Sequence, residues 1–256
     1  MPSESFKPIA VRPPSDNPLL FRLRCLVDLQ LGSIVKQLRP ALAAMNGRVL
    51  DVGAGESPWR EWLPADAAYH GIDIGHAADF GMHAGRQDIT YYDGTVMPFD
   101  DAAFDGAICI EVLEHARDPE LCLSEIARVL KDRAPVLLSV PWSARRHHVP
   151  HDYHRFTRER LDMLFRDSGF EDIEISERGT DLGAIASKLV VLCARLVPRK
   201  AGLDVLWKLP LALLCAPLTL GFLGAAHVSE RFGWGAKEDP LGYFVKARRA
   251  ARGRDA

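Results

Sequence analysis

Apolar positions change their period along the chain, and each change predicts an element. From Pro18 to about Ala44 they recur at helical spacing, as at Leu26, Leu29 and Val35, and Pro40 is expected to end or kink that helix. At Arg48 the texture changes. Arg48-Val-Leu-Asp-Val52 is a short apolar run that passes at once into Gly53-Ala-Gly55, the pattern of a buried strand entering a glycine turn. Further strands are predicted at 69–74, 89–92, 106–110, 135–140 and 170–175. Asp118-Pro119-Glu120 opens a helix with a cap, a first-position proline and an acid in the first turn, and Cys122, Ile126, Val129 and Leu130 make its apolar stripe. Thr157 caps another, with Leu161, Leu164 and Phe165 facing inward and Gly169 stopping it. Strands alternating with helices imply a largely parallel sheet whose ligands bind beyond the carboxyl ends of the strands.

The last third has a different pattern. Residues 182–197 are apolar and helical in texture, and 209–226 carry no charge over a length at the threshold for a bilayer span. Leu241-Gly-Tyr-Phe-Val-Lys246 then reads as a last strand, and a single crossing could not return it to the sheet. A helical hairpin is therefore expected, its second arm kinked at Pro210 and Pro217. Three uses stay open for it: a lid over the acceptor, a homodimer contact, or a membrane-surface contact through 182–226 with Arg195, Arg199, Lys200 and Lys208 at the headgroups. The expected division is a flexible leader at 1–17, a core at 18–180, the apolar insertion at 181–238, and the last strand with a basic tail at 239–256.

Composition narrows the function. A net charge of −2 argues against nucleic-acid binding through a broad basic face. The basic cluster Lys246, Arg248, Arg249, Arg252 and Arg254 is expected to be a solvated terminus. None of the five cysteines forms a C-x-x-C pair and several sit in apolar runs, which suggests a reducing, cytoplasmic setting without a disulfide framework or zinc site. The polar, proline-bearing start has no apolar stretch of signal-peptide kind.

Candidate chemistry gathers at the predicted strand tips. In Asp51-Val-Gly53-Ala-Gly55-Glu-Ser57 the glycines let the backbone turn sharply and approach a ligand, and the Asp51 carboxylate can face an ammonium. Asp73 ends the second strand, where a carboxylate can accept hydrogen bonds from both ribose hydroxyls. Nicotinamide dinucleotides use the same geometry, but their third glycine is replaced here by Pro58, and Asp51 would oppose a pyrophosphate. A cofactor with a cationic amino-acid end and no phosphates fits better.

The motifs taken together resemble the class I methyltransferases that use S-adenosylmethionine (SAM), of the type 11 kind. The resemblance runs from about Val49 to Ile175 through Val49-Leu-Asp-Val-Gly-Ala-Gly55, Gly71-Ile-Asp-Ile74, Asp93-Gly-Thr-Val-Met-Pro-Phe99 and Phe104-Asp-Gly-Ala-Ile-Cys-Ile-Glu-Val-Leu-Glu-His115. It implies a Rossmann-like seven-stranded, mostly parallel sheet with helices on both faces, an apolar helical insertion before the last strand, and that strand beside the sixth. It implies that Asp51 orients the methionine end, Gly53 and Gly55 lie against it, Asp73 with Ile74 holds the ribose, Asp93 with Gly94 holds the adenine amino group, and Glu111 borders the reacting methyl. Glu111 and Glu114 have a rival reading as helix-start acids facing the dipole. The chain departs from the pattern at Ser57, where many relatives have glycine, and at 75–87, where a glycine- and histidine-rich stretch suggests an irregular loop in place of a helix.

Methyl transfer from a sulfonium needs alignment and dryness more than side-chain chemistry, and a base only where the nucleophile must lose a proton. His115 and His151 are the candidate bases. The second lies in His147-His-Val-Pro-His151-Asp-Tyr-His154, whose spacing offers no ligand pair on one regular element, so no metal is expected. A similar His-Asp-Tyr-x-Arg-Phe-Thr segment occurs in relatives that look like saccharide or lipid-linked methyltransferases, where it would shape the acceptor pocket. The expected activity is methyl transfer to oxygen of a small-molecule, saccharide or lipid-linked acceptor. The alternatives are a non-catalytic SAM-binding or assembly module and a nicotinamide oxidoreductase.

Overall fold

The structure is a computed structural model that describes residues 9–75, 88–198 and 202–253. The irregular connection expected at 75–87 falls almost wholly outside the described residues.

The N-terminal apolar stretch forms two helices, α1 (Pro18–Val27) and α2 (Leu29–Leu42). The break lies at Asp28 and not at Pro40, which is accommodated inside the last turns of α2. Asp28 leaves helical geometry (φ −87°, ψ 85°) and its carboxylate accepts from the Leu31 amide, so a cap decides the boundary. The segment preceding α1, expected to be a flexible leader, is fastened from Ile9 onward. Arg24 donates to the carbonyls of Ile9 and Ala10, and the Ser15 amide donates to Glu61.

Seven strands follow: β1 (Arg48–Val52), β2 (Ala68–Ile74), β3 (Ile89–Tyr92), β4 (Gly106–Ile110), β5 (Pro135–Pro141), β6 (Phe170–Arg178) and β7 (Gly242–Arg249). They form one sheet in the order β3-β2-β1-β4-β5-β7-β6. The first five pair in parallel, and β7 lies antiparallel between β5 and β6. The order reverses between β1 and β4, and a ligand crevice opens beyond the strand ends at such a switch point.

The period-2 alternation of the strands divides the core in two. Val49, Ile108, Leu137 and Phe244 pack with Ile34, Leu38 and Leu42 of α2 on one face. Leu50, Cys109, Leu138 and Val245 pack on the other, against Leu123 and Ile126 of α3 (Pro119–Val129) and Leu161, Leu164 and Phe165 of α4 (Arg158–Asp167). Burial on both faces is why these strands read as continuous apolar runs. Asp118 and Thr157 cap α3 and α4 as expected, accepting from the amides of Leu121 and Arg160.

The apolar insertion forms α5 (Asp181–Leu196) and α6 (Val205–Phe232), an antiparallel pair joined by Thr180–Ser229 and Cys193–Thr219 contacts of 2.9 and 3.0 Å. Helix α6 is a single element that includes both Pro210 and Pro217. Its buried positions Ala212, Thr219 and Ala226 recur every seven residues, a narrow seam of small side chains against α5. Most of its large apolar side chains face outward. Leu206 is 75% exposed, Leu213 66% and Leu220 67%.

The basic C-terminal cluster is part of the sheet and not a solvated tail through its first half. Lys246, Arg248 and Arg249 lie in β7, and Arg249 donates to the carbonyls of Ala127 and Gly169. Arg252 reaches the carbonyl of Arg128. Arg254 lies outside the described residues.

Candidate active site

The switch point collects two sets of side chains. On its β1–β3 side the glycine turn leaves β1 with Gly53 at φ 71° and Gly55 at φ 48°, left-handed geometry that favours glycine. At Gly53 the space is also closed, since a Cβ there would lie 2.3 Å from a Val112 methyl. The Gly53 and Ala54 amides both donate to the Ile72 carbonyl, which ties the turn to β2.

Asp73 closes this turn. One carboxylate oxygen accepts from the Gly55 amide at 2.8 Å and the other from the Ile74 amide at 2.7 Å. Burial raises its pKa, and the two amide bonds oppose that rise. Each oxygen keeps a second lone pair, so a diol can still donate to both.

Asp51 lies deeper, 2% exposed. The Tyr69 hydroxyl donates to it at 2.8 Å and stands 2.9 Å from the Ser57 hydroxyl. Burial lifts the Asp51 pKa to about 7; the Tyr69 bond opposes the lift and the nearby Asp73 charge adds to it. Among the described residues, no lysine or arginine pairs with Asp51 or Asp73. Two acids without a cation at adjacent strand tips fit a ligand that brings its own positive charge and no phosphate.

Asp93 follows β3 and is more exposed. One of its oxygens accepts from the Thr95 amide and hydroxyl at 2.9 and 2.6 Å, a local turn that lowers its pKa through those bonds. Gly94, at φ 84°, packs so that a Cβ would touch Ile74 at 3.5 Å. Ile74, Asp93 and Gly94 are thus one neighbourhood.

On the β4–β5 side, Glu111 follows β4 with φ 56°, a strained position for a side chain of its size. Its Oε1 accepts from Ser139 Oγ of β5 and from Arg178 Nη2 of β6, both at 2.8 Å. Arg178 is fully buried and also donates to the Val140 and Gln30 carbonyls and to Ser33 Oγ. Gly242, opposite it in β7, leaves room for this guanidinium: a Cβ there would fall 2.2 Å from Nη2. Arg178 and Ser139 did not announce themselves in the sequence. The only available signal was an arginine ending a strand next to a glycine in the neighbouring one.

Glu114 and His115 occupy a single 3-10 turn, Leu113–His115, after β4. Glu114 is the acid of this short turn and does not start α3. It is completely buried, and the acid in the first turn of α3 is Glu120. Its backbone carbonyl accepts from the Tyr153 and His154 amides, which pins the histidine-rich loop to this turn. His115 and His151 are brought together through main chain. His115 Nδ1 donates to the His151 carbonyl at 2.6 Å, while the His151 ring meets the Tyr153 hydroxyl at 3.1 Å. Burial, with the neighbouring His147 and His148, pulls the His115 pKa down to about 4, so its ring is neutral at physiological pH.

Residues 50–138 match a family model described as a methyltransferase domain. These residues thus carry a methyltransferase domain. Asp51, Asp73 and Glu111 stand at or just beyond the ends of β1, β2 and β4, with Gly53 and Gly55 in the turn after β1 and Asp93 just after β3. The chain is 33% identical over 106 residues to an O-methyltransferase of Penicillium expansum, cnsE, covering 38% of each chain. It is 31% identical over 118 residues to the methyltransferase YcgJ of Bacillus subtilis, covering 42% of this chain and 45% of that one. The chain thus spans less than half the length of either relative. The fold matches that of a putative methyltransferase solved with the Trm112 activator of Haloferax volcanii (TM-score 0.53, 18% identity, 96% of this chain and all of that one). It also matches a SAM-dependent methyltransferase from Archaeoglobus fulgidus (TM-score 0.52, 16% identity, 91% of this chain and all of that one).

Proposed function

We propose that the protein transfers a methyl group from SAM to an oxygen of a small-molecule, saccharide or lipid-linked acceptor. The observation that carries this reading is the acid pair of buried Asp51 and partly buried Asp73, with no cation paired to either among the described residues, beside the glycine turn of a methyltransferase domain. Oxygen as the target is supported by curated relatives that are named O-methyltransferases, from Penicillium expansum and Aspergillus nomiae.

In this reading Asp51 accepts from the ammonium of the amino-acid end, Asp73 with Ile74 holds the ribose diol, and Asp93 with Gly94 meets the adenine amino group. Bound SAM supplies a methyl carbon already activated by the sulfonium charge. The acceptor enters on the β4–β5 side, bounded by Glu111 and the histidine-rich loop. His151 takes the hydroxyl proton on its imidazole, and His115 positions His151 by donating to its carbonyl. The lowered pKa of His115 makes it a poor base.

Calorimetric titration with SAM and S-adenosylhomocysteine, with NAD as control, tests the cofactor half. Binding of the first two alone supports it, and binding of NAD instead would return the nicotinamide reading. His151→Ala is expected to slow turnover by about 10²–10⁴-fold while leaving SAM affinity in place. SAM affinity without turnover on any hydroxylated acceptor would favour the non-catalytic binding module.

The outward apolar side of α6 supports a cytoplasmic protein that touches a membrane surface through the α5–α6 hairpin. Val205–Phe232 is long and apolar enough to cross a bilayer, yet β7 returns to the sheet directly after it. Lying in the interface satisfies both facts, and it brings the domain to a lipid-linked acceptor. Co-sedimentation with anionic lipid vesicles tests this. Leu213→Glu with Leu220→Glu is expected to abolish sedimentation, and a dimer in solution that the same pair dissociates would replace the membrane reading with the homodimer.

A further inference from the structure

We propose that His115, His147, His148 and Glu114 form a binding site for a divalent transition-metal ion of the zinc kind. The site goes beyond methyl transfer and does not rest on it. The three imidazoles come from two elements: His115 from the turn after β4, His147 and His148 from the loop after β5. One ring nitrogen of each lies within 4.8 Å of those of the other two. Their rings meet with centroids 4.8 to 5.2 Å apart. Zinc–nitrogen bonds of 2.0–2.1 Å place ligand atoms about 3.3 Å apart in a tetrahedron, so small ring rotations close the set.

Hydrogen bonds orient two of the rings. His115 Nδ1 donates to the His151 carbonyl at 2.6 Å and His147 Nδ1 to the Arg145 carbonyl at 3.0 Å. A carbonyl acceptor on the other ring nitrogen is the kind of contact that orients metal-binding histidines. Asp152 stands 3.6 Å from His147 Nδ1 and holds Arg155 in a two-pronged pair, which offsets that arginine's charge.

Glu114 is the independent observation. Its side chain is fully buried, and neither carboxylate oxygen has a hydrogen-bond partner. Oε1 lies 3.5 Å from His115 Nε2. A buried carboxylate this close to an imidazole needs a proton or another cation beside it. A proton on Glu114 is one such cation, and burial with the neighbouring Glu111 charge does raise its pKa. A metal ion is the other, and it alone also uses the convergence of His147 and His148. Three convergent imidazoles suit borderline ions such as Zn²⁺ and Co²⁺, not Mg²⁺ or Ca²⁺.

The test titrates the full chain, stripped with a chelator, with Co²⁺ followed by visible absorption and then with competing Zn²⁺. One equivalent of Co²⁺ should give the intense bands of a tetrahedral ion, and Zn²⁺ should displace it. His147→Ala with His148→Ala, on a partly exposed loop, should weaken Co²⁺ binding on the order of 100-fold or more with the circular dichroism unchanged. Glu114→Gln keeps the side-chain shape and should weaken it by about tenfold. A folded wild type that takes up neither ion, or equal affinity in the double-histidine variant, overturns the proposal. The rings would then be edge-stacked neighbours and Glu114 a protonated acid. SAM affinity measured on the same samples separates this outcome from a failure of the methyltransferase reading.

Discussion

The two sides of the switch point are built by different means. On the β1–β3 side the hydrogen bonds of the candidate acids reach at most 18 positions along the chain. Asp73 bonds the Gly55 and Ile74 amides, Asp93 bonds Thr95, and Gly53 packs on the strand-four tip. On the β4–β5 side the contacts are distant. Glu111 is held by Ser139 and Arg178, His115 by His151, and Arg178 by residues of α2. The first side is a backbone cradle whose Asp51 and Asp73 pair with no cation among the described residues. The second is a side-chain network that has already neutralised Glu111 and still leaves Glu114 without a donor. A conserved kind of ligand can rest on the first, while the second can vary with the acceptor, because changing a side-chain network does not disturb the turn.

The sharpest way to break this contrast is Arg178→Met. Removing one partner of a buried pair strands the other, and the folded state is expected to lose about 3–5 kcal/mol, read by urea unfolding. Adding Glu111→Gln should recover part of the loss. A cost below about 1 kcal/mol would mean that Arg178 does not organise the β4–β5 side.

Asp73→Ala comes next and probes the cradle. Hydrogen bonds to a charged group are worth about 1.5–3 kcal/mol each, so SAM affinity should fall by roughly 10–100-fold in calorimetry. Unchanged affinity would remove Asp73 from the ribose contact.

The smallest expected effect is a pH dependence. With its pKa lifted from 3.8 to about 7, Asp51 keeps its proton in the folded protein over a range where the unfolded chain has lost it. Its contribution to stability is therefore full below about pH 4 and declines as pH rises toward 7. An ammonium favours the ionised form, so SAM affinity should run the other way and rise by up to about tenfold between pH 6 and pH 8. Asp51→Asn should flatten both trends, and a wild-type affinity independent of pH would place the ammonium away from Asp51.

Legibility followed the same division. Strand positions, both capped helices and the crevice were readable because period-2 runs, caps and glycine turns are local signals, and Asp51, Asp73 and Asp93 stood out as acids at strand ends. The break at Asp28 was misplaced onto Pro40 because a cap and a proline compete as boundary signals, and burial of α2 tolerated the proline. The arginines of β7 were read as a solvated end, although strand pairing and carbonyl acceptors hold them.

By itself the sequence determined the alternation of elements, the class of domain and the acids of the cradle, since each depends on neighbours a few residues away. Tertiary structure alone decided that Arg178 meets Glu111 across 67 positions, that Glu114 is buried without a donor, and that His115 converges with His147 and His148. The reason is desolvation. A charge or an imidazole takes its character from what surrounds it once water is removed, and those surroundings come from strands that only the folded sheet makes adjacent.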